Sequence, residues 1–103
     1  MHVKVNDPIV DYEGNPIADG KGPLTYQKVF TVALNTFNDT DRPPADQMAH
    51  IYALSIKLYG GNEIDLTLED AALIKERVGK TFNPLVYGRS CDLLEGKSMT
   101  KKK

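Results

Sequence analysis

A chain of 103 residues with a net charge of −1 is one domain long and has no global pull toward nucleic acid. Its hydrophobic content of 41% and charged content of 26% are ordinary for a globular protein, and a domain of this size supports one core without metal or disulfide. Cys91 is the single cysteine, which excludes an internal disulfide and a multi-cysteine metal site and fits a reducing compartment. No charged start leads into a long apolar run, so neither a signal peptide nor a transmembrane helix is expected.

From the start, His2 to Val5 alternates and reads as a strand. Ile9 to Tyr12 reads as a second strand, followed by the turn signal Glu13-Gly14-Asn15-Pro16 and then Ile17. Residues 3–18 are thus expected to form a small β-hairpin or extended arm, and Asp19-Gly20-Lys21-Gly22-Pro23 a loop. Two strands alone are marginal in water, so the arm should lie on the helices or on another subunit.

Thr25 caps the first predicted helix, whose stripe is Tyr26, Val29, Phe30, Ala33, Leu34 and Phe37, widened by Val32. Asn38 to Pro44 ends it and opens the next, with Asp41 as cap and both prolines in the first turn. Met48, Ile51, Tyr52, Ser55, Leu58 and Tyr59, flanked by Leu54, are expected on one face of that helix, with His50, Ala53 and Lys57 away from it. Gly60-Gly61-Asn62 stops it, and Ile64 to Leu66 reads as a short extended run.

Thr67 and Asp70 have the spacing of a capping box for a third helix, and Glu69 and Asp70 complement its dipole. Leu68, Ala71, Ile74 and Val78 form its apolar stripe, Lys75, Glu76 and Lys80 face water, and Gly79 and Lys80 suit its end. Asn83 and Pro84 open a fourth helix, on which Tyr87, Cys91 and Leu94 share a face beside Ser90. Gly88 within it implies close approach of another backbone, and Gly96 is the stop.

The expected fold is α+β, mainly α: the arm, then a bundle of about four short helices over residues 24–95. One domain spans residues 1–96, and residues 97–103 form a disordered lysine-rich tail. The expected core is Val29, Phe30, Leu34, Ile51, Leu54, Leu58, Leu73, Ile74, Val78 and Leu94.

No catalytic constellation is visible. His2 is terminal, His50 lies on a polar face, and Cys91 lies on an apolar face with nothing nearby in sequence to lower its pKa. Residues 65–76 space acids somewhat like a calcium loop but have Asp70 where that loop needs glycine. Gly60-Gly61-Asn62 lacks the lysine and spacing of a P-loop. A helix-turn-helix over residues 67–95 would offer only Asn83, Arg89 and Ser90 to bases.

The segments DYEGNPI (11–17), PLTYQKVFTVAL (23–34) and EIDLTLEDAALIKERVGKTFNPLVYGRSCDLLEG (63–96) resemble small uncharacterised proteins encoded by tailed bacteriophages and prophages. The resemblance implies a phage origin and action in a bacterial host cytoplasm, and it carries over no catalytic residue.

The expected function is therefore non-enzymatic, without cofactor or metal: binding a protein partner, either to inhibit a host factor or to assist phage assembly. Tyr12, Tyr26, Tyr52, Tyr59 and Tyr87 are expected at the contact surface, because tyrosine joins an apolar ring to a polar tip. A homodimer or larger homo-oligomer is a further expectation. The alternative is nucleic-acid or nucleotide binding through Lys75, Arg77, Lys80, Arg89 and the lysine tail. No membrane role is expected.

Overall fold

The computed structural model describes residues 2–18, 20, 22–37, 40, 42–60 and 63–96. The lysine tail, Asp41 and the Gly61-Asn62 pair therefore lie outside the described residues. The fold is α+β, mainly α, in the order β1 (His2–Lys4), α1 (Tyr26–Asn35), α2 (Ala45–Gly60), β2 (Glu63–Asp65), α3 (Leu68–Thr81) and α4 (Pro84–Leu94).

Local signals set the helix starts. Thr25 Oγ1 accepts the Lys28 amide at 3.3 Å, and Asn83 Oδ1 accepts the Val86 amide at 3.0 Å, with Pro84 in the first turn of α4. At α3 the Asp70 amide donates to Thr67 Oγ1 and the Thr67 amide donates to Asp70 Oδ2, both at 3.0 Å, completing a capping box. The start of α2 differs from expectation. The helix begins at Ala45, after both prolines, and its first backbone bond runs from the Met48 amide to the Pro44 carbonyl at 2.9 Å.

Helix α1 lies between α2 and α3, and α4 packs on α3. Every residue of the expected core is buried, joined by Val3, Val5, Ile9, Tyr26, Ala33, Ile64, Leu66, Ala71 and Val86. Several side chains fall elsewhere than their spacing implied, Val32 of α1 among them at 47% exposed. Tyr52, Tyr59 and Leu68 are exposed, because Ile51, Leu54 and Leu58 turn α2 inward along one side only and Leu68 sits at the first residue of α3. Phe37 lies beyond the end of α1 and stacks under two guanidiniums, with Arg42 at 5.6 Å and Arg77 at 5.7 Å from its ring centroid. Open space surrounds Gly88; the close approach is at Gly79, where a Cβ would stand 3.1 Å from the ring of Tyr87.

The arm is fastened to the helices. Strand β1 pairs antiparallel with β2, so Val3 meets Ile64 on the buried side and Lys4 stands across from Glu63. Between β1 and α1 the chain bends twice. The Ile9 amide donates to the Leu24 carbonyl (2.7 Å), Leu24 to Ile17 (2.7 Å) and Ile17 to Ile9 (3.0 Å), a closed ring of three backbone bonds. The Asp11 carboxylate accepts the Glu13 and Asn15 amides at 2.9 and 3.0 Å and so shapes the turn, where Gly14 takes φ +89°. From α4, Arg89 donates to the Val10 carbonyl at 3.0 Å and to the Asp11 carbonyl at 2.6 Å.

Two other long-range donors close helix ends. Arg77 of α3, only 3% exposed, donates to the Ala33 and Thr36 carbonyls at 3.4 and 2.7 Å, at the C-terminus of α1. Gln27 Nε2 donates to the Leu58 and Tyr59 carbonyls, both at 3.1 Å, at the C-terminus of α2. Helix α1 has no basic residue in its own last turn, so Arg77 supplies the cation that its dipole favours.

Replacing Arg77 by alanine strips those carbonyls of a charged donor and opens a void. It is expected to cost about 3 kcal/mol in urea unfolding. The Ser90 hydroxyl is fully buried and has no hydrogen-bond partner among the described residues. Ser90→Ala is expected to raise stability by about 1 kcal/mol, read as a higher urea midpoint at unchanged slope.

Candidate functional site

Helix α1 turns Val29, Phe30, Ala33 and Leu34 into the core, which leaves Lys28, Thr31 and Val32 on its outer side. The bonds from Gln27 to the end of α2 bring Tyr59 beside that surface, and Phe82 closes it from the end of α3. The result is an open groove of about 600 Å³ lined by Leu24, Gln27, Lys28, Thr31, Val32, Tyr59 and Phe82. Its apolar members are held by the fold, and Val32 and Tyr59 remain 47% and 81% exposed. Lys28 is the single charged residue of the lining, and its ammonium donates to the Pro23 carbonyl at 3.2 Å. Such a lining can receive apolar side chains and offers no pairing of nucleophile and base.

A second cluster joins α2 to the start of α3. His50 Nε2 lies 2.6 Å from Asp70 Oδ1, and Lys57 lies 3.9 Å from Asp70 Oδ2. An ionised carboxylate only accepts, so His50 donates through Nε2. Burial works to raise the Asp70 pKa, but bonds from the Thr67 amide, His50 and the Thr67 hydroxyl outweigh it, with Lys57 adding to them, and hold the carboxyl below its usual range. Both Asp70 oxygens are thus engaged in fixing α3 to α2. His50 and Lys57, expected away from the helix contacts, meet there. The spacing within α2 could not reveal this, because the partner comes from another element. A shallow cleft beside the pair carries Glu69 and Glu76, but no hydroxyl or thiol among its lining residues. No group of three His, Cys, Asp or Glu among the described residues could hold a metal ion.

On α4, the Tyr87 phenol is raised above its usual pKa, first by its hydrogen bond with Cys91. Beside it, Lys75 is bonded to Glu95 at 3.0 Å, which raises the Lys75 pKa.

The structure separates the nine residues expected at a contact surface. Tyr12, Tyr52 and Tyr59 are exposed and Tyr87 partly so. Tyr26 is a correction: it is wholly buried at the start of α1, its ring 5.9 Å from that of Phe30, and burial pushes its phenol up to about 12. Arg77 is a second correction, since it is the buried clamp on α1. Arg89 is half-buried and spends its donors on the arm. Lys80 stands 3.5 Å from Glu76, and Lys75 pairs with Glu95, so the four basic residues do not form one uncompensated face. The groove itself was missed. Leu24, Val32 and Phe82 come from three parts of the chain, and only the unexpected exposure of Val32 marks them.

No family model matches the chain, and neither does any curated protein or solved structure. No helix among the described residues is long and apolar enough to cross a membrane.

The Asp70 pKa is lower folded than unfolded, so its carboxylate adds stability that is fully present above the usual 3.8 and is lost as pH falls through the folded value. Asp70→Asn places an amide donor against donors and is expected to cost about 1–3 kcal/mol at neutral pH. In an acid titration of stability the variant should lack the part of the decline that begins near 3.8.

Proposed function

We propose that this protein acts without catalysis, by binding another protein through the groove over α1. The observation that carries the reading is the open apolar floor made by Leu24, Val32, Tyr59 and Phe82, set among polar groups and fixed by the surrounding helices. Surface apolar groups gathered in one concavity mark interaction sites more often than scattered ones do. The partner supplies one or two apolar side chains to the floor and hydrogen-bonding groups to Gln27 and Thr31 at its edge. The resemblance to phage proteins supports a bacterial host cytoplasm as the setting, and a host factor or a phage assembly protein as the partner. The nucleic-acid reading has less support, because Arg77 and Arg89 are spent on backbone carbonyls.

The test is capture from lysates of host and infected cells by the native chain and by Val32→Glu. Val32 is half exposed, so the charge should change stability by no more than about 0.5 kcal/mol. Proteins held by the native chain should be lost from the variant. An identical set on both baits, or none on either, would count against the groove.

A further inference from the structure

Helix α2 is apolar on two sides. Ile51, Leu54 and Leu58 face the core, while Ala45, Ala49, Tyr52, Ile56 and Tyr59 face outward and are all exposed. The outward set advances by steps of four, three, four and three, the seam of a helix that pairs with another helix. No charged side chain interrupts that seam. Charges stand only on one edge, Asp46 near the start and Lys57 near the end.

We propose that this face is the interface of a homodimer, in which α2 lies antiparallel to α2 of a second copy about a two-fold axis at Tyr52. The order of sizes along the seam selects that arrangement. Reversed about Tyr52, the tyrosine and isoleucine end of one helix meets the alanine end of the other. Ala45 then stands level with Tyr59 of the second copy, Ala49 lies one residue from level with Ile56 and is the seam position nearest to it, and the two Tyr52 rings meet on the axis. Large side chains facing small ones interdigitate. A parallel pair would instead set Tyr59 against Tyr59 and leave alanine against alanine at the other end. Reversal also brings Asp46 to the same end and edge as Lys57 of the second copy, which favours this register by long-range attraction. Lys57 keeps its bond to the Asp65 carbonyl at 3.1 Å, so its charge contributes rather than a new contact.

The area suits a weak dimer. Each tyrosine covers roughly 150–250 Å². Tyr52, Tyr59 and Ile56 keep 69%, 81% and 56% of their surface exposed, so complete coverage of the seam on both copies removes about 1,000 Å², below the roughly 1,200 Å² of stable interfaces and within the range of weak association. A reversible dimer of modest affinity follows. The inference goes beyond the groove reading and does not rest on it: Tyr59 borders both surfaces, but Val32 and Leu24 belong to the groove alone and Tyr52 and Ile56 to the seam alone.

The experiment is light scattering and sedimentation of the full chain from low micromolar to millimolar concentration. The expected mass rises with concentration to twice the 11.4 kDa of one chain. Ile56→Glu should raise the dissociation constant by at least about tenfold while helical circular dichroism, and the thermal midpoint at a concentration where both chains are monomeric, stay unchanged. Ala49→Ile alone should weaken the dimer, and adding Ile56→Ala to it should restore binding, since the two positions face each other only in the reversed pair. A monomer at every concentration, or a dimer indifferent to Ile56→Glu, would overturn the proposal. Strengthening by Ala49→Ile alone would overturn the antiparallel arrangement. Val32→Glu should leave the mass unchanged, which separates failure of the groove from failure of the seam.

Discussion

A guanidinium buried at the end of a helix is the constraint on which the rest of this structure depends. Taking a cation out of water costs several kcal/mol unless strong acceptors replace the lost hydration. Arg77 finds them in the Ala33 and Thr36 carbonyls, at the negative end of the α1 dipole, with the ring of Phe37 against it. The direction of α1 across α3 is thereby set, since few other placements would satisfy this charge. Gln27 then fixes α2 to α1 in the same way, through the last carbonyls of α2. The groove and the outer face of α2 both inherit their positions from these two clamps.

The starts of α1, α3 and α4 were legible in the sequence because their signals are local. Thr67 and Asp70 are three residues apart and complete the capping box with each other, and Asn83 needs only the amide of Val86. The innermost residues were legible for a related reason. Val29, Phe30, Leu34, Ile74 and Val78 repeat at helical spacing on elements with one apolar side. What could not be read depends on partners far along the chain. Arg77 looks like a solvent-facing residue of α3 until α1 is laid against it. Nothing in His2–Lys4 names Glu63–Asp65 as its partner strand.

Helix α2 failed for a different reason. A helix with apolar residues on two sides gives overlapping periodicities, and Tyr52 and Tyr59 merged with Ile51 and Leu58 into one broad stripe. Geometry resolves them, since only Ile51, Leu54 and Leu58 among them are buried, in a helix that packs on α1. Of the expected contact residues, four tyrosines remained outward, Tyr87 the least of them, while Tyr26 was taken by the core and Arg77 by a helix end. Arginine and tyrosine suit an interface and an interior clamp for the same chemical reason, so residue type alone could not separate the two uses.

The ring of bonds among Ile9, Ile17 and Leu24 bears on how the chain is made. Each of the three amides needs a carbonyl from another of the three segments, so no two segments form it alone. Strand β1 waits for residues 63–65, and the clamp on Val10 and Asp11 waits for Arg89. During synthesis, which runs from the N-terminus, the ring can close once Leu24 has been made, whereas β1 and the Arg89 clamp wait for later parts of the chain. The arm is thus fastened in stages, and a chain stopped before Arg89 would keep the ring and the β1–β2 pair and lose the clamp on Val10 and Asp11.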